Sequence, residues 1–299
     1  MPGQRSRKPL KPRVSIVGAG NLANTLAVAL QGAGYRIDQI VSRDRSPSLR
    51  RARRLAGELG ATAVMAAKAH IQAELVWFCV PDGAIAGAAT AMQEAGDWRG
   101  KVALHSSGAL TSDELTKLKM RGAAVASVHP MMTFVRGSRP PLVGVPFAVE
   151  GDVTAVRMAR HIVKNLGGRA YSIRKEDKAA YHAWGTFASP LLTALLVTSE
   201  QVATAAGLRP REAKRRMLPI LKQTLANYAA FDAAGAFSGP MIRGDIDTVK
   251  RHLRILRRIP VAKEVYRSLA QAALVYLPGK NKPALARVLN SSRSSSSSS

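Results

Sequence analysis

His105, His129 and His182 are three of six histidines in the chain, and an imidazole is the usual group for moving a proton near neutral pH. His105 opens the segment HSSGAL, with Ser106 and Ser107 behind it. There His105 can donate to a carbonyl and the serines can touch a substrate; the same residues also read as a turn with helix-capping serines. His129 opens HPMMTF, either as a proton donor or as a buried residue holding the Pro130 loop. Lys178 and His182 lie four apart and share one face of a helix that begins near Lys175, with Ser189 two turns further on. A merely solvated polar face is the other reading of that pattern. Arg243, in the polar loop SGPMIRGD, is suited to a substrate carboxylate, and Asp245 to a helix cap. Neither Cys/His spacing nor a carboxylate cluster suggests a metal, so none is expected.

Gly18, Ala19, Gly20, Asn21, Leu22 and Ala23 form GAGNLA, a G-x-G-x-x-A pattern between the β-rich run RVSIVG and a helical pattern. Gly18 permits the tight turn, Gly20 lets a pyrophosphate approach the backbone, and Ala23 lets the helix pack close to the sheet. The free N–H groups of Asn21 and Leu22 at the helix start then face the phosphates. A Rossmann-like domain without its nucleotide is the alternative. The second strand ends IVSRD, so Ser42 and Arg43 stand where an NAD enzyme usually carries an acid. This favours NADP(H), since Arg43 can pair with a 2′-phosphate and Ser42 can hydrogen-bond it. Arg45 and Ser46 can help, whereas Asp44 in a shifted register would favour NAD. Val80, Pro81 and Asp82 follow from the end of the apolar run LVWFCV, beside the expected ligand crevice, and with Ser106 are expected to contact the cofactor, Asp82 serving chiefly as a helix N-cap.

The elements that must position these groups alternate strand and helix. RVSIVG, Tyr35–Val41, ATAV, LVWFCV, KVALHS and AAVASVH read as strands, and Asn21–Gly32 and Pro47–Leu59 as helices. That rhythm predicts a parallel, doubly wound sheet. After a Pro/Gly-rich loop, Pro130–Gly144, come VPFAVE, a helix from Val153 to Leu166, and GGRAYSI. From Lys175 the strand signals stop. Helices are expected over Lys175–Ala206, kinked at Pro190, and over Pro210–Ala230, Asp245–Arg257 and Val261–Leu277. The expected organisation is a basic tail (1–12), a Rossmann dinucleotide-binding domain (13–172), an all-α C-terminal domain (173–280) and a second tail (281–299). Both tails are expected to be disordered.

At 299 residues the chain suits two domains and can bury a core without disulfides. Its one cysteine, Cys79, lies in the run LVWFCV and reads as a core residue in a reducing compartment. No stretch has the length and apolarity of a membrane span, and the N-terminus lacks the apolar core of a signal peptide, so a cytoplasmic protein is expected. The net charge of +26 is spread over several segments, and aromatic residues make up only 5%. A solvated basic surface is favoured, with nucleic-acid association the standing alternative.

GAGNLA, SRD, VPDGAI, HSSGAL, SVHPMMTF and SGPMIRGD, in this order, resemble proteins that join a Rossmann-like domain to a C-terminal domain of unknown function. These are relatives of pyrroline-5-carboxylate reductase, deazaflavin-dependent NADP reductase and the 3-hydroxyacid dehydrogenases. The resemblance runs from about Arg13 to Leu277. It implies NADP binding, a helical C-terminal domain like that of 6-phosphogluconate dehydrogenase, and a homodimer sharing helices. In the 3-hydroxyacid dehydrogenases a lysine and an asparagine on the matching helix do acid–base and orienting work. Here Pro190 stands where the asparagine is expected. The expectation is thus an NADP(H)-dependent oxidoreductase acting on a small carbonyl, hydroxyl or imine substrate. A non-catalytic NADP-binding regulatory protein is the alternative.

Overall fold

The computed structural model describes residues 11–43 and 46–291. Asp44 and Arg45, both invoked for cofactor choice, lie outside the described residues, as do residues 1–10 and 292–299 of the expected tails. The chain divides into two compact units, the first ending at Thr186 and the second beginning at Phe187.

In the first unit the strands are β1 (Val14–Val17), β2 (Ile37–Ser42), β3 (Thr62–Met65), β4 (Leu75–Phe78), β5 (Val102–His105), β6 (Ala124–Pro130), β7 (Pro146–Gly151) and β8 (Arg169–Ser172). The helices are α1 (Asn21–Gly32), α2 (Ser46–Leu59), α3 (Ile85–Met92), α4 (Thr116–Lys119), α5 (Val153–Asn165) and α6 (Lys178–Thr186). The eight strands form one sheet in the order β3-β2-β1-β4-β5-β6-β7-β8. All neighbours are parallel except β6 and β7. The order reverses between β1 and β4, the switch point beside which ligands bind in open α/β sheets.

Burial explains why the strands read as they do. Every residue of β1, β4 and β5 is buried, since helices cover both faces of a parallel sheet. One core layer, with Leu26, Leu30, Leu55 and Ile162, packs against Ile16, Trp77 and Leu104. The other, with Ile85, Met92, Trp98 and Leu118, packs against Val76, Phe78 and Ala103. Cys79 lies in the first layer, and burial pushes its thiol far above the ordinary value, as expected for an inert core residue.

The first unit runs past the expected boundary at residue 172. Lys178 and Tyr181 of α6 are buried in it, so the first turns of the predicted helical domain pack with the sheet.

The second unit holds α7 (Leu192–Ala205), α8 (Pro210–Ala230), α9 (Ala233–Ala236), α10 (Pro240–Arg243), α11 (Ile246–Leu256), α12 (Pro260–Tyr276) and α13 (Lys282–Asn290). Pro190 lies inside a π-type turn, Phe187–Leu191, in keeping with a break in the predicted helix. Asp245 caps α11 as expected, accepting from the Thr248 N–H at 3.0 Å. The tail expected from residue 281 is corrected: α13 is a helix whose Leu285 and Leu289 are fully buried against Val249, Leu253 and Ala270. Pro283 in its first turn and apolar residues at i, i+3 and i+4 (Leu285, Val288, Leu289) carry the missed signal. Among the described residues no single helix is long and apolar enough to cross a membrane.

Candidate active site at the carboxyl ends of the parallel strands

The loop between β1 and α1 is a cradle made of backbone. Gly18 has φ +114°, and a Cβ there would sit 2.3 Å from the Cys79 carbonyl oxygen, so only glycine fits. Gly20 differs: a Cβ there would meet nothing within 4 Å, so the space in front of it is open. Gly20 is the N-cap of α1, no side chain caps the helix, and its first turn holds no acid. Ala23 is fully buried where α1 meets the sheet. Ala19 and Leu22 are half-buried and pack against the core. The exposed Asn21 donates its side-chain amide to the Phe134 carbonyl at 3.2 Å, tying the loop after β6 to the start of α1. Uncovered amides at the positive end of a helix dipole fit a pyrophosphate.

At the end of β2 the two expected phosphate ligands part company. Arg43 is exposed. Ser42 is buried and turns its hydroxyl to the Arg43 carbonyl at 3.3 Å, away from the role expected of it.

The loops after β4, β5 and β6 form a second constellation, made of side chains. Val80 is half-buried and Pro81 exposed, and a short 3-10 turn, Asp82–Ala84, follows. Asp82 does not cap that turn. Its carboxylate accepts from the Ser107 hydroxyl at 2.8 Å, joining the loop after β4 to the loop after β5. The Ser107 hydroxyl oxygen also accepts from the N–H groups of Ala109 and Leu110. That oxygen thus works as the turn former of the alternative reading, not as a free nucleophile. Ser106 accepts from the Trp77 indole at 2.8 Å.

His105 is fully buried, and both its ring nitrogens are taken. Nδ1 accepts from the Ser107 N–H at 3.1 Å, and Nε2 lies 2.9 Å from the Thr111 carbonyl. Burial drives its pKa down to about 4. The expected donation from His105 to a substrate carbonyl is therefore corrected to a structural role: no ring nitrogen is left for a ligand.

His129 and the residues of α6 close the constellation. Lys178 is fully buried and donates to the Ser107 carbonyl at 3.0 Å and the Ser127 hydroxyl at 2.8 Å. The Ser127 hydroxyl itself donates to the Ser107 carbonyl at 3.1 Å. Burial lowers the Lys178 pKa, against the pull of Glu150 and Asp82. His129 Nδ1 lies 2.8 Å from the Tyr181 hydroxyl, and the two rings meet edge to face. Burial first, then Lys178 and His182, hold His129 down to about 4. Tyr181 is raised, chiefly by burial, and so keeps its proton. His182 is exposed on its outer side, yet a Cβ on Gly108 would lie 2.7 Å from its Cδ2 and 2.9 Å from His129 Nε2. The two imidazoles therefore flank Gly108, with ring centroids 6.2 Å apart.

The structure brings Ser107, His129, Lys178 and His182 together. Arg243 is exposed and belongs to the second unit. Gly108 and Ser127 were not among the sequence candidates, and Tyr181 carried no assigned role. Tyr181 was within reach, three residues beyond Lys178 and hence on its face; Gly108 and Ser127 matter only through contacts distant in sequence. Among the described residues no group of His, Cys, Asp and Glu is arranged to hold a metal ion.

No curated protein matches the chain. Among solved structures, the protein TM1727 from Thermotoga maritima is 26% identical, with 94% of this chain and 99% of that one covered at a TM-score of 0.68. BF3122 from Bacteroides fragilis, named as an NADP oxidoreductase, is 23% identical over 88% of this chain and 97% of its own, at a TM-score of 0.75. An imine reductase from Myxococcus stipitatus in complex with NADP+ is 15% identical over 93% of this chain and 100% of its own, at 0.62. The last two likenesses carry the fold. Residues 2–130 match the Rossmann-like domain, and residues 145–273 match the domain of unknown function DUF2520. The chain is therefore a Rossmann-like domain followed by a DUF2520 domain.

Proposed function

We propose that the protein is an NADP(H)-dependent oxidoreductase acting on a small carbonyl, hydroxyl or imine substrate. The observation that carries this reading is the open cradle at Gly20, where bare amides of α1 face space that no side chain fills. Structural neighbours named as an NADP oxidoreductase and as an imine reductase bound to NADP+ support it. Gly18, Gly20 and the N–H groups of Asn21 and Leu22 would hold the pyrophosphate, and Arg43 the 2′-phosphate. When bound, the cofactor supplies or accepts a hydride.

The chain's own residues then handle the oxygen or nitrogen of the substrate. Tyr181 keeps its proton, and its hydroxyl lies 2.8 Å from His129 Nδ1, a contact that fixes the ring whose Nε2 edge lies beside Gly108. His129, held neutral at pH 7 chiefly by burial, can polarise a carbonyl without carrying charge. Lys178 positions the loop by gripping the Ser107 carbonyl.

The second unit fits a homodimer. Among its apolar residues, Val197 of α7 and Leu218, Ile220, Leu225 and Tyr228 of α8 are exposed, a surface a monomer rarely leaves uncovered. A cytoplasmic location suits the single, inert Cys79. The occupied nitrogens of His105 favour a second reading, a cofactor-binding protein without turnover.

Fluorescence titration with NADPH and NADH tests the reading. Micromolar NADPH binding, tighter than NADH, is expected, and no binding of either nucleotide would overturn it. Loss of NADPH absorbance across a substrate panel separates enzyme from regulator.

A further inference from the structure

The second unit holds a hollow of its own. Residues of α7, α11 and α12 line a cavity of about 580 Å3, with Phe237, Pro240 and Met241 completing the wall. Every one of the lining residues belongs to this unit. Pockets of this scale between the helices of a bundle are places where small ligands bind. The floor is apolar and buried, since Leu256, Ala262 and Ala270 are each less than 7% exposed. The lip is apolar and open, with Ile255 55% and Leu269 49% exposed.

The polar atoms of the wall are few and mostly satisfied. The hydroxyls of Thr198 and Ser199 donate to the carbonyls of Ala194 and Leu195, one turn back in α7, each at 2.9 Å. The Tyr266 hydroxyl lies 3.1 Å from His252 Nδ1. The other nitrogen of that ring, Nε2, has no partner among the described residues. A guest must therefore be aliphatic over most of its length, because a polar group on the floor would lose its hydrogen bonds to water and gain none.

Charge decides what the other end of the guest is. Arg251 lies four residues before Ile255 and Arg258 three after it, so both flank that residue at the lip, and both are exposed. Ion pairs on α11 and α12 join Lys250 to Asp247 and Arg267 to Glu264. Arg251, Arg254, Arg257 and Arg258 have no carboxylate within 4.0 Å among the described residues. An apolar hollow edged by uncompensated guanidinium groups suits a chain that ends in an anion.

A second copy of the protein is the rival occupant. Leu195, Thr198, Ser199 and Val202 recur at helical spacing and turn one face of α7 to the cavity. Val197, part of the exposed surface suited to a homodimer, lies on the far side of the same helix. α7 therefore separates the hollow from its own share of that surface.

We infer that this hollow is a ligand site for a single-chain aliphatic anion, a fatty acid, whose tail lies on the floor and whose carboxylate meets Arg251 and Arg258. It needs no cofactor, so it stands or falls apart from the oxidoreductase reading.

Calorimetry on the full chain with decanoate, decanol and decylammonium, each in its monomeric range, tests this. Decanoate is expected to bind at least tenfold more tightly than either of the others. From hexanoate to decanoate each methylene should tighten binding by about three- to fourfold, the worth of a buried CH2. Binding that does not grow with chain length, or decylammonium binding equal to decanoate, overturns the proposal. Ala273→Phe places a ring in the cavity and should abolish decanoate binding without lowering the melting temperature; decanoate binding that survives it also overturns the proposal. Arg251→Glu combined with Arg258→Glu should weaken decanoate at least tenfold and leave decanol within twofold. Arg50→Glu combined with Arg53→Glu, at exposed positions of α2, makes the same change in net charge and should leave decanoate within twofold. Equal losses in the two double variants would report the bulk charge of a +26 protein and refute the site. Sedimentation judges the rival: a dimer that Ala273→Phe dissociates, with decanoate unbound by the parent, gives the hollow to a second copy and refutes it as well.

Discussion

Two glycines at the carboxyl ends of parallel strands β1 and β5, with β4 between them, do opposite work. Gly20 stands before open space, and what it offers is backbone: unpaired amides and room to reach them. Gly108 stands in a crowd, with His129 and His182 within 3 Å of where its Cβ would be. The first region is an open cradle of backbone amides. The second is a close-packed cluster of side chains in which chemistry can be particular to this chain. A fold of this kind can therefore keep one cofactor loop and change its reaction elsewhere.

The comparison breaks most sharply at the cofactor loop. Gly18→Ala combines a positive φ with a Cβ placed 2.3 Å from a backbone carbonyl. It is expected to cost about 3 kcal/mol or more and to abolish NADPH binding, as read by thermal unfolding and titration. Gly20→Val adds its side chain to open space. Its melting temperature should match the parent while its NADPH affinity falls about 100-fold, the separation expected of a residue kept for a ligand. A Gly20→Val protein that binds NADPH as the parent does would remove the cradle from the argument.

Acid should act on the second region. His105 and His129 sit near 4 in the fold, largely through burial, against about 6.5 in an unfolded chain. Between these values the unfolded state binds more protons than the native state, so stability rises with pH across the window. It should be fully present above about pH 6.5, fall as pH drops toward 4, and level off below that. Each histidine contributes up to about 3 kcal/mol, at about 1.4 kcal/mol per pKa unit. Denaturant midpoints measured from pH 7.5 to 4 check this. His105→Gln should flatten the curve by about half, and a flat curve in the parent would show the imidazoles to be hydrated.

How far the sequence could be read follows the same division. GAGNLA was legible because every part of that site is local: a strand, a turn and the first turn of a helix. The buried runs of β1, β4 and β5 were legible because a sheet covered on both faces needs apolar residues throughout. The second site is assembled from pairs far apart in sequence, such as Ser107 with Asp82, Lys178 with Ser107 and Ser127, and Tyr181 with His129. His105 and His129 looked alike at strand ends. Only the structure shows that the first has both nitrogens occupied while the second faces Gly108. The burial of Ser42 was not legible for a related reason, since a strand-terminal serine points inward or outward by register and the sequence does not say which.

Gly108→Ala sharpens the comparison from the other side. Its Cβ must displace His182, the exposed partner, or His129, the one pinned by Tyr181. The substrate-side geometry should be spoiled while the cofactor cradle is untouched. The expected result is a drop in kcat of about 30-fold, or about 2 kcal/mol, with NADPH affinity within threefold of the parent. Loss of NADPH binding in this variant would mean that the two regions are one site, and the contrast between the glycines would fail.

The smallest effect is expected where cofactor choice is made. With the Ser42 hydroxyl on the Arg43 carbonyl, the proposed reading assigns discrimination for the 2′-phosphate to Arg43. Arg43 is exposed, and an exposed charge pair is worth about 1 kcal/mol or less, though a bidentate guanidinium–phosphate contact reaches the top of that range. Arg43→Ala should therefore weaken NADPH binding by about fivefold and leave NADH within twofold, and the loss should shrink as salt is raised because the pair is solvent-facing. Titrations at 50 and 300 mM salt measure both. Equal weakening of the two nucleotides would place Arg43 against the pyrophosphate or the ribose instead. No change in either would move the 2′-phosphate contact off Arg43 and leave the preference for NADPH without its proposed source.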